Sequence, residues 1–407
     1  MRINRTGLEH VFQFGGEMFS ESVFESKSVE FDIVRSDRRV LSSQSEFSMD
    51  DYSNLSSSLL NATREKFEDR QDKKIGFLLS GGVDSSLSLY LLKKVYPDAQ
   101  VTAYHTDWKT PERSEVPFAV TAAEFVGVPL KIVDTSSEAQ IPFIEDALSK
   151  SLTISYSTIP VYMVFNEMLN DDIQIAVSAL GLDELFAGYY IHKRYFEKGS
   201  LGFVPFSRNL LRGRYYRAAA RRWGTAKTWL LSMVVNNLWS EFVVGNDFDI
   251  SSRYKSNLAA NNLWNSIHNY LLDAMISNFA NMTSRAAWAT GLDVIYPYIH
   301  NELIDLCLSQ SPQFRINKSP IRHMMRSEFG FPEEIAARGE QWDKMGWGAT
   351  PQPYFANKDY MDAIRTDPAQ SKDWFTDEVR HLLLNIDDNP TTVGLHMALF
   401  MKTVELV

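Results

Sequence analysis

The stretch that decides the fold is Ile75-Gly76-Phe77-Leu78-Leu79, followed at once by Ser80-Gly81-Gly82-Val83-Asp84-Ser85-Ser86. An apolar run of strand length meets a glycine-rich turn. Apolar residues at helical spacing come next at Leu87, Leu91, Leu92 and Val95, before Pro97 stops the pattern. Strand, turn and helix in this order gather the turn's backbone N–H groups and the first helical amides around one anion. Two adjacent glycines let the backbone come close to a phosphate, and Ser80, Ser85 and Ser86 add hydroxyl donors. Asp84 is a carboxylate that phosphate repels unless a cation lies between them, so the pattern implies Mg²⁺ with the phosphate. No GKS or GKT comes after the glycines, which excludes a Walker loop.

Working outward, Val101–Thr106, Leu130–Val133 and Ile173–Ala179 read as three more strands. Val116–Val126, Ile144–Leu148 and Val161–Leu169 read as the helices between them. Alternating strands and helices predict an α/β fold, a doubly wound parallel sheet. Beyond Tyr190 strand signals fade, and a largely helical C-terminal region rich in aromatics is expected. Ahead of the loop, Ser28–Val34 alternates like a strand or hairpin, Ser42–Ser58 reads as a serine-rich loop, and Leu59–Arg70 has helical character. The expected organisation is a flanking segment over 1–70, an α/β core over 71–195, and a helical region over 196–407 that completes the site.

Composition narrows the function classes. A 407-residue chain that is 44% hydrophobic can bury a large core, and its net charge of −10 argues against a mainly nucleic-acid-binding role. The single cysteine, Cys307, excludes an internal disulfide framework and a CxxC metal site, and its apolar helical setting over Glu302–Leu308 reads as core packing. The polar N-terminus carries no signal-peptide pattern, and no apolar run approaches a membrane span. A cytoplasmic protein without a membrane partner is expected. Arg208–Trp223 carries six arginines with Tyr215 and Tyr216. That stretch reads as the solvated face of an amphipathic helix, or as a holder of a phosphorylated or acidic substrate or of a nucleic acid.

The fourth predicted strand ends in Ser178-Ala179-Leu180-Gly181-Leu182-Asp183-Glu184-Leu185-Phe186-Ala187-Gly188-Tyr189-Tyr190. Open α/β sheets bind ligands beyond the carboxyl ends of their strands, at the topological switch point. If strand four lies beside strand one, Asp183 faces Asp84 across that crevice, and the two carboxylates could share a Mg²⁺. Alone, Asp183 is equally an N-cap aspartate.

The pair SGGVDSS and SALGLDELFAGY resembles the synthetase domain of the asparagine synthetase family, which includes β-lactam and lasso-peptide macrolactam synthetases. The resemblance continues in Ser284-Arg285, Trp288 to Asp293, and Tyr296-Pro297-Tyr298-Ile299-His300. It extends through Lys318 to Arg322, Phe331 to Ile335 with Arg338, and Asp343-Lys344-Met345-Gly346-Trp347. It implies the pyrophosphate-loop type of adenine-nucleotide fold and an ATP-dependent ligase. ATP phosphates would lie on Ser80, Gly81, Gly82, Asp84, Ser85 and Ser86, with Mg²⁺ carried by Asp84 and Asp183. Leu79, His105 (or Tyr104 beside it), Ser178, Ala179 and Gly181 would surround the rest of the nucleotide. A substrate carboxylate would attack the α-phosphate, and ammonia or an amine would then displace AMP. Lys344 would be the cation that stabilises charge developing in the first step, and Arg285 and Lys318 would support pyrophosphate or the fold.

The chain departs from the family pattern on the acceptor side. Asparagine-forming members carry Ser-Gly-Glu-Gly at strand four, and their glutamate position is Leu180 here, which cannot take a proton. Asp293, His300 or Glu184 are the alternatives for a base. Arg2 stands where glutamine-using members keep a catalytic cysteine, and 1–70 is short for a glutaminase domain. The expectation is therefore a small-molecule or peptide carboxylate, with ammonia or an amine that can come from a separate ammonia donor or a peptide-binding partner. A nucleotide-binding homologue without ligase chemistry, or a tRNA-modifying pyrophosphate-loop enzyme, are the competing readings.

Overall fold

The computed structural model describes residues 49–109, 114–189, 276–341, 352–384 and 392–407, with isolated positions at 3–5, 8, 24, 192–193, 244, 272 and 386. The expected hairpin at Ser28–Val34 and the arginine-rich stretch Arg208–Trp223 lie outside the described residues.

In chain order, helix α1 (Met49–Phe67) leads into strand β1 (Ile75–Leu78), helix α2 (Val83–Val95), strand β2 (Val101–Asp107), helix α3 (Val116–Val126) and strand β3 (Leu130–Asp134). Helices α4 (Ile144–Ser151) and α5 (Thr158–Asn170) come next, then strand β4 (Ile175–Val177) and the single turn α6 (Leu182–Leu185). Later come α7 (Ser277–Trp288), strand β5 (Asp293–Ile295), α8 (Asn301–Ser309), α9 (Ser319–Ser327), α10 (Glu333–Ala336), α11 (Gln352–Ala356), α12 (Lys358–Ile364), α13 (Asp377–Leu384) and α14 (Thr392–Leu406).

The five strands form one parallel sheet in the order β3-β2-β1-β4-β5. Ile75 pairs with Val101 on one side and Ile175 on the other, so β1 and β4 are neighbours. The chain winds outward from β1 to β3 and then returns to the other side of β1, which makes the β1/β4 boundary the switch point. Side chains alternate across the sheet with period two. Phe77, Ala103 and Val177 pack in one core with Leu87 and Leu91 of α2, Ala119 and Ala122 of α3, and Leu303 and Cys307 of α8. Tyr104 and Ala176 face a second core built from α4, α5, α7 and the C-terminal helices. Both faces are therefore covered, as the apolar strands require.

Two expectations change. The sequence between Met49 and Ser58 is helical rather than loop, because Leu55 and Leu59 lie one turn apart and both bury against the first core, outweighing the low helix propensity of the intervening serines. The region expected to be helical supplies a fifth strand, β5, whose three residues pair with Ile175, Ala176 and Val177. No described helix is long and apolar enough to cross a membrane.

A buried imidazole sits beside the second core. His396 of α14 stacks on Tyr156 at 5.6 Å between ring centres, and its Nε2 finds no hydrogen-bond partner among the described residues. Burial pushes its pKa down to about 4. A group neutral in the fold and protonated in the unfolded chain contributes stability that is complete above the unfolded pKa near 6.5 and is lost as pH falls toward 4. Thermal melts between pH 7.5 and 4 should therefore show His396→Phe losing up to roughly 3 kcal/mol less stability than the parent protein.

Candidate active site

The β1–α2 loop sits on the carboxyl end of the central strand. The Leu79 amide continues the ladder to the Tyr104 carbonyl at 2.9 Å, and the chain then turns. Ser85 Oγ closes the turn, accepting from the Ser80 amide at 3.1 Å and lying 3.0 Å from Ser80 Oγ. Gly81 has φ +69°, and a Cβ there would collide with the Ala119 nitrogen and the Phe118 carbonyl carbon. Only glycine lets the loop lie on the first turn of α3. Helix α2 starts at Val83 with no side-chain cap, so its first-turn amides have no acceptor within the helix.

Beyond the loop lies a cavity of about 560 Å³. Ser80, Gly82, Asp84 and Ser85 line it from the first loop, Leu79 from the strand end, and Ser178, Ala179, Gly181 and Asp183 from the end of β4. Gly81 and Ser86 lie behind this surface. His105 does too, since its ring Nδ1 sits 2.8 Å from the Leu79 carbonyl while its neighbours Tyr104 and Thr106 face the cavity. Lys344 lies outside the described residues. Arg285 is buried with one guanidinium nitrogen donating to the Leu152 carbonyl, away from the cavity.

Asp84 and Asp183 are brought together, and by a residue that the sequence pattern ranked low. Lys318 Nζ donates to both Asp84 oxygens, at 2.7 and 2.8 Å, and lies 2.6 Å from Asp183 Oδ1. Burial alone would lower the lysine's pKa, but Asp183 and Asp84 overcome it and raise the value above normal. The lysine reaches this place from a constrained turn. Asn317 and Lys318 have φ of 52° and 58°, and Ala187 across from them has φ of 50°. The Asn317 amide donates to the Ala187 carbonyl at 3.1 Å and the Lys318 amide to the Phe186 carbonyl at 2.8 Å. Left-handed conformations at alanine and lysine are costly and persist where surrounding bonds over-determine them. At Gly188 an added Cβ would overlap Asp183 Oδ1 and Lys318 Cε, so a side chain there would forbid the pair.

Two arginines brace the arrangement. Arg322 donates to the carbonyls of Asn317, Ala336 and Arg338 at 2.7–2.9 Å, which ties the lysine turn to the end of α10. Arg338 donates to the carbonyls of Ser80 and Gly81 at 3.4 and 3.1 Å, pairs with Glu115 at 2.5 Å, and stacks on the Phe118 ring at 3.8 Å. Glu115 carried no signal in the sequence, being one acid before a helix. From the sheet's other flank, Tyr298 Oη donates to the Asp84 carbonyl at 2.9 Å.

The hard oxygen donors of Asp84 and Asp183, converging on one point beside the uncapped amides of α2, suit Mg²⁺ carried with a phosphate chain. Among the described residues no group of three or more His, Cys, Asp or Glu side chains is placed to hold a metal by protein ligands alone. Of the three residues considered as bases, Asp293 is exposed on β5 and accepts from the Trp288 indole at 2.9 Å, and His300 pairs with Glu65 at 2.9 Å. Only Glu184 of the three lines the cavity. Its Oε1 accepts from Tyr189 Oη at 2.6 Å, and burial, with Asp183 adding to it, pushes the carboxyl up to about 8.

The asparagine synthase family model matches residues 54–383. The chain belongs to the asparagine synthase family. Over 146 residues it is 29% identical to asparagine synthetase [glutamine-hydrolyzing] 1 of Bacillus subtilis (strain 168), a match covering 34% of this chain and 21% of that relative's length. Among solved structures it is similar to an NH3-dependent NAD synthetase from Campylobacter jejuni subsp. jejuni NCTC 11168 in complex with the nitrate ion, at 18% identity and a TM-score of 0.27, covering 34% of this chain and 60% of that one. Membership makes the chain part of a family of ATP-dependent amide ligases.

The Arg338 contacts give a direct test. Arg338→Ala removes the loop's anchor and leaves Glu115 without its cation, and should cost roughly 2–3 kcal/mol in stability and weaken binding of a non-hydrolysable ATP analogue by about tenfold or more. Arg338→Lys restores the charge but not the two-pronged contact. It should recover most of the melting temperature and little of the nucleotide affinity, as read by calorimetric titration.

Proposed function

We propose that this chain is an ATP-dependent, AMP-forming amide ligase that adenylates a substrate carboxylate and passes the acyl group to ammonia or a substrate amine. The observation that carries the reading is the convergence of Asp84 and Asp183 at the mouth of a glycine-rich loop, on the carboxyl ends of adjacent parallel strands. That is where an open α/β sheet takes its ligand. In this reading Ser80, Gly82, Ser85 and the first amides of α2 hold the phosphate chain, and Leu79, Ser178, Ala179 and Gly181 border the nucleoside. Asp84 and Asp183 hold Mg²⁺, which when bound supplies positive charge to the leaving pyrophosphate.

A carboxylate is a poor electrophile until one oxygen becomes part of a good leaving group. Attack of that oxygen on the α-phosphorus expels pyrophosphate and leaves an acyl-adenylate. An amine then adds to the acyl carbon, AMP departs, and the amine loses a proton. Charge develops on pyrophosphate in the first step, so fixed cations around it lower the barrier. Lys344 is assigned that role by its place in the family motif.

The amine does not come from glutamine hydrolysed at Cys307. That thiol is the only one in the sequence, it is fully enclosed in α8, and burial pushes its pKa up to about 12, so it has no thiolate to offer. Leu180, partly buried against the first core, replaces the carboxylate that asparagine-forming members keep there. The nucleophile is therefore free ammonia, ammonia from a separate donor, or an amino group on a small molecule or peptide. A nucleotide-binding protein without ligase chemistry is the second reading, and Leu180 is the observation that favours it.

Exchange of labelled pyrophosphate into ATP separates the two. Incubation with deproteinised cell extract as the source of carboxylates should support exchange. Asp84→Asn and Lys344→Ala should each reduce it by about a hundredfold or more, the size expected for removing a transition-state contact. ATP turnover to ADP and phosphate would overturn the ligase reading, and nucleotide binding with no exchange on any fraction would favour the second one.

A further inference from the structure

We propose that Lys318 is the resident counter-cation of the Asp84–Asp183 pair and keeps a divalent ion off those carboxylates until nucleotide phosphates arrive with it. The inference rests on the reading of Asp84 and Asp183 as the metal-holding carboxylates and goes beyond it by making metal binding conditional on nucleotide.

The ammonium fills the place that a shared cation would take. It has three N–H donors, and the three oxygens within 2.8 Å of it are two from Asp84 and one from Asp183. This is not a loose surface pair. The lysine side chain is 11% exposed, and Asp84 is 20% exposed. Its backbone is fixed in a left-handed conformation by the bond from its amide to the Phe186 carbonyl, and Asn317 beside it is fixed to Ala187. The stem passes over Gly188, where any side chain would strike both Lys318 and Asp183. Three separate features, a strained turn, a backbone zipper and a missing Cβ, hold one amine between two carboxylates.

Charge sets the order of binding. Two carboxylates and one ammonium leave a net charge of −1 in a partly buried crevice. A dication entering alone must push the ammonium away from both its partners, and Arg322 is already a cation facing the same cavity, whereas Arg338 beside it is paired with Glu115. Neither the displaced ammonium nor the ion then has enough anionic oxygen, and a buried charge stripped of its partner is strongly disfavoured. A nucleotide changes the balance. Its phosphate oxygens complete the coordination that Mg²⁺ takes when only one or two carboxylates are present, and they give the displaced ammonium a new partner. Metal and nucleotide therefore bind with positive coupling, and linkage makes the coupling reciprocal.

The test uses the full chain and Mn²⁺ as the probe, with free ion counted by electron paramagnetic resonance. Without nucleotide, Lys318→Met should bind Mn²⁺ at least about tenfold more tightly than the parent protein, and adding Asp183→Asn should abolish the gain. With α,β-methylene-ATP present, the parent and Lys318→Met should differ by much less. Circular dichroism and melting temperature establish that the variant is folded, and Lys318→Gln takes its place if it is not. Equal Mn²⁺ affinity of the parent and a folded Lys318 variant overturns the proposal. So does uptake of one Mn²⁺ at micromolar concentration by the nucleotide-free parent, whatever the variants do. If α,β-methylene-ATP fails to bind the parent at all, the ligase reading falls, and the nucleotide-free comparison still decides the role of Lys318.

Discussion

One ammonium shared by two carboxylates joins three distant pieces of chain. Asp84 opens α2, Asp183 lies in the turn after β4, and Lys318 ends the turn before α9. The first two are brought together by the sheet, because a chain that winds outward through β3 and then returns beside β1 must leave two loop ends adjacent at the switch point. The third is not a product of the sheet. It is held by backbone bonds between two non-glycine left-handed turns and by Arg322, which spans from Asn317 to the end of α10. Without the ammonium, two like charges would face each other in a crevice with little water, and the loops carrying them would be driven apart.

The same arrangement explains why the β1–α2 loop is braced from outside. Its carbonyls at Ser80 and Gly81 accept from Arg338, which also lines the cavity, while the Ser80 and Gly82 amides are taken up by the Ser85 and Ser80 hydroxyls. The donors that remain for an anion are the amides at the start of α2, which have no acceptor within the helix. Glu115 pairs with the arginine, so the brace adds no net charge beside the β1–α2 loop. Gly81 is the position where this depends on a missing side chain, since the loop could not otherwise rest on the start of α3.

Much of this was legible in the sequence, and the remainder has identifiable physical reasons. Ile75–Leu79 with SGGVDSS after it is a local pattern, with strand, loop and helix adjacent in the chain, and α2 and α3 lie where periodicity, and for α2 Pro97, put them. Asp183 was legible once β4 was placed beside β1. Strand β5 was not, because three residues carry no period and pair only through contacts more than a hundred residues away. The start of α1 was hidden by serines whose propensity is overridden by burial of Leu55 and Leu59. His105 was expected at the nucleotide through its backbone on β2, and alternation along the strand turns its ring inward to the Leu79 carbonyl. Lys318 was expected only to support pyrophosphate or the fold, and Arg338 was visible as a motif residue without a role, because their pairs with Asp84 and Glu115 across more than two hundred residues leave no local trace.

In the proposed reading, one half of the site keeps the family's residues while the other departs from them. The side chains and amides that would face the phosphates are charged or donate hydrogen bonds, and they are held by contacts that tolerate little substitution. Leu180, three residues before Asp183, borders the cavity and packs partly against the apolar core, so it puts an apolar side chain there rather than a carboxylate. The acid that does line the cavity nearby, Glu184, is enclosed and bonded to Tyr189, and burial favours its neutral form. A neutral, enclosed acid beside Asp183 avoids adding a third negative charge to a crevice in which Lys318 offsets only one of two. Substituting the carboxylate back at position 180 would therefore load the same crevice with charge that Lys318 cannot match, and the leucine is consistent with that electrostatic limit as well as with a different amine.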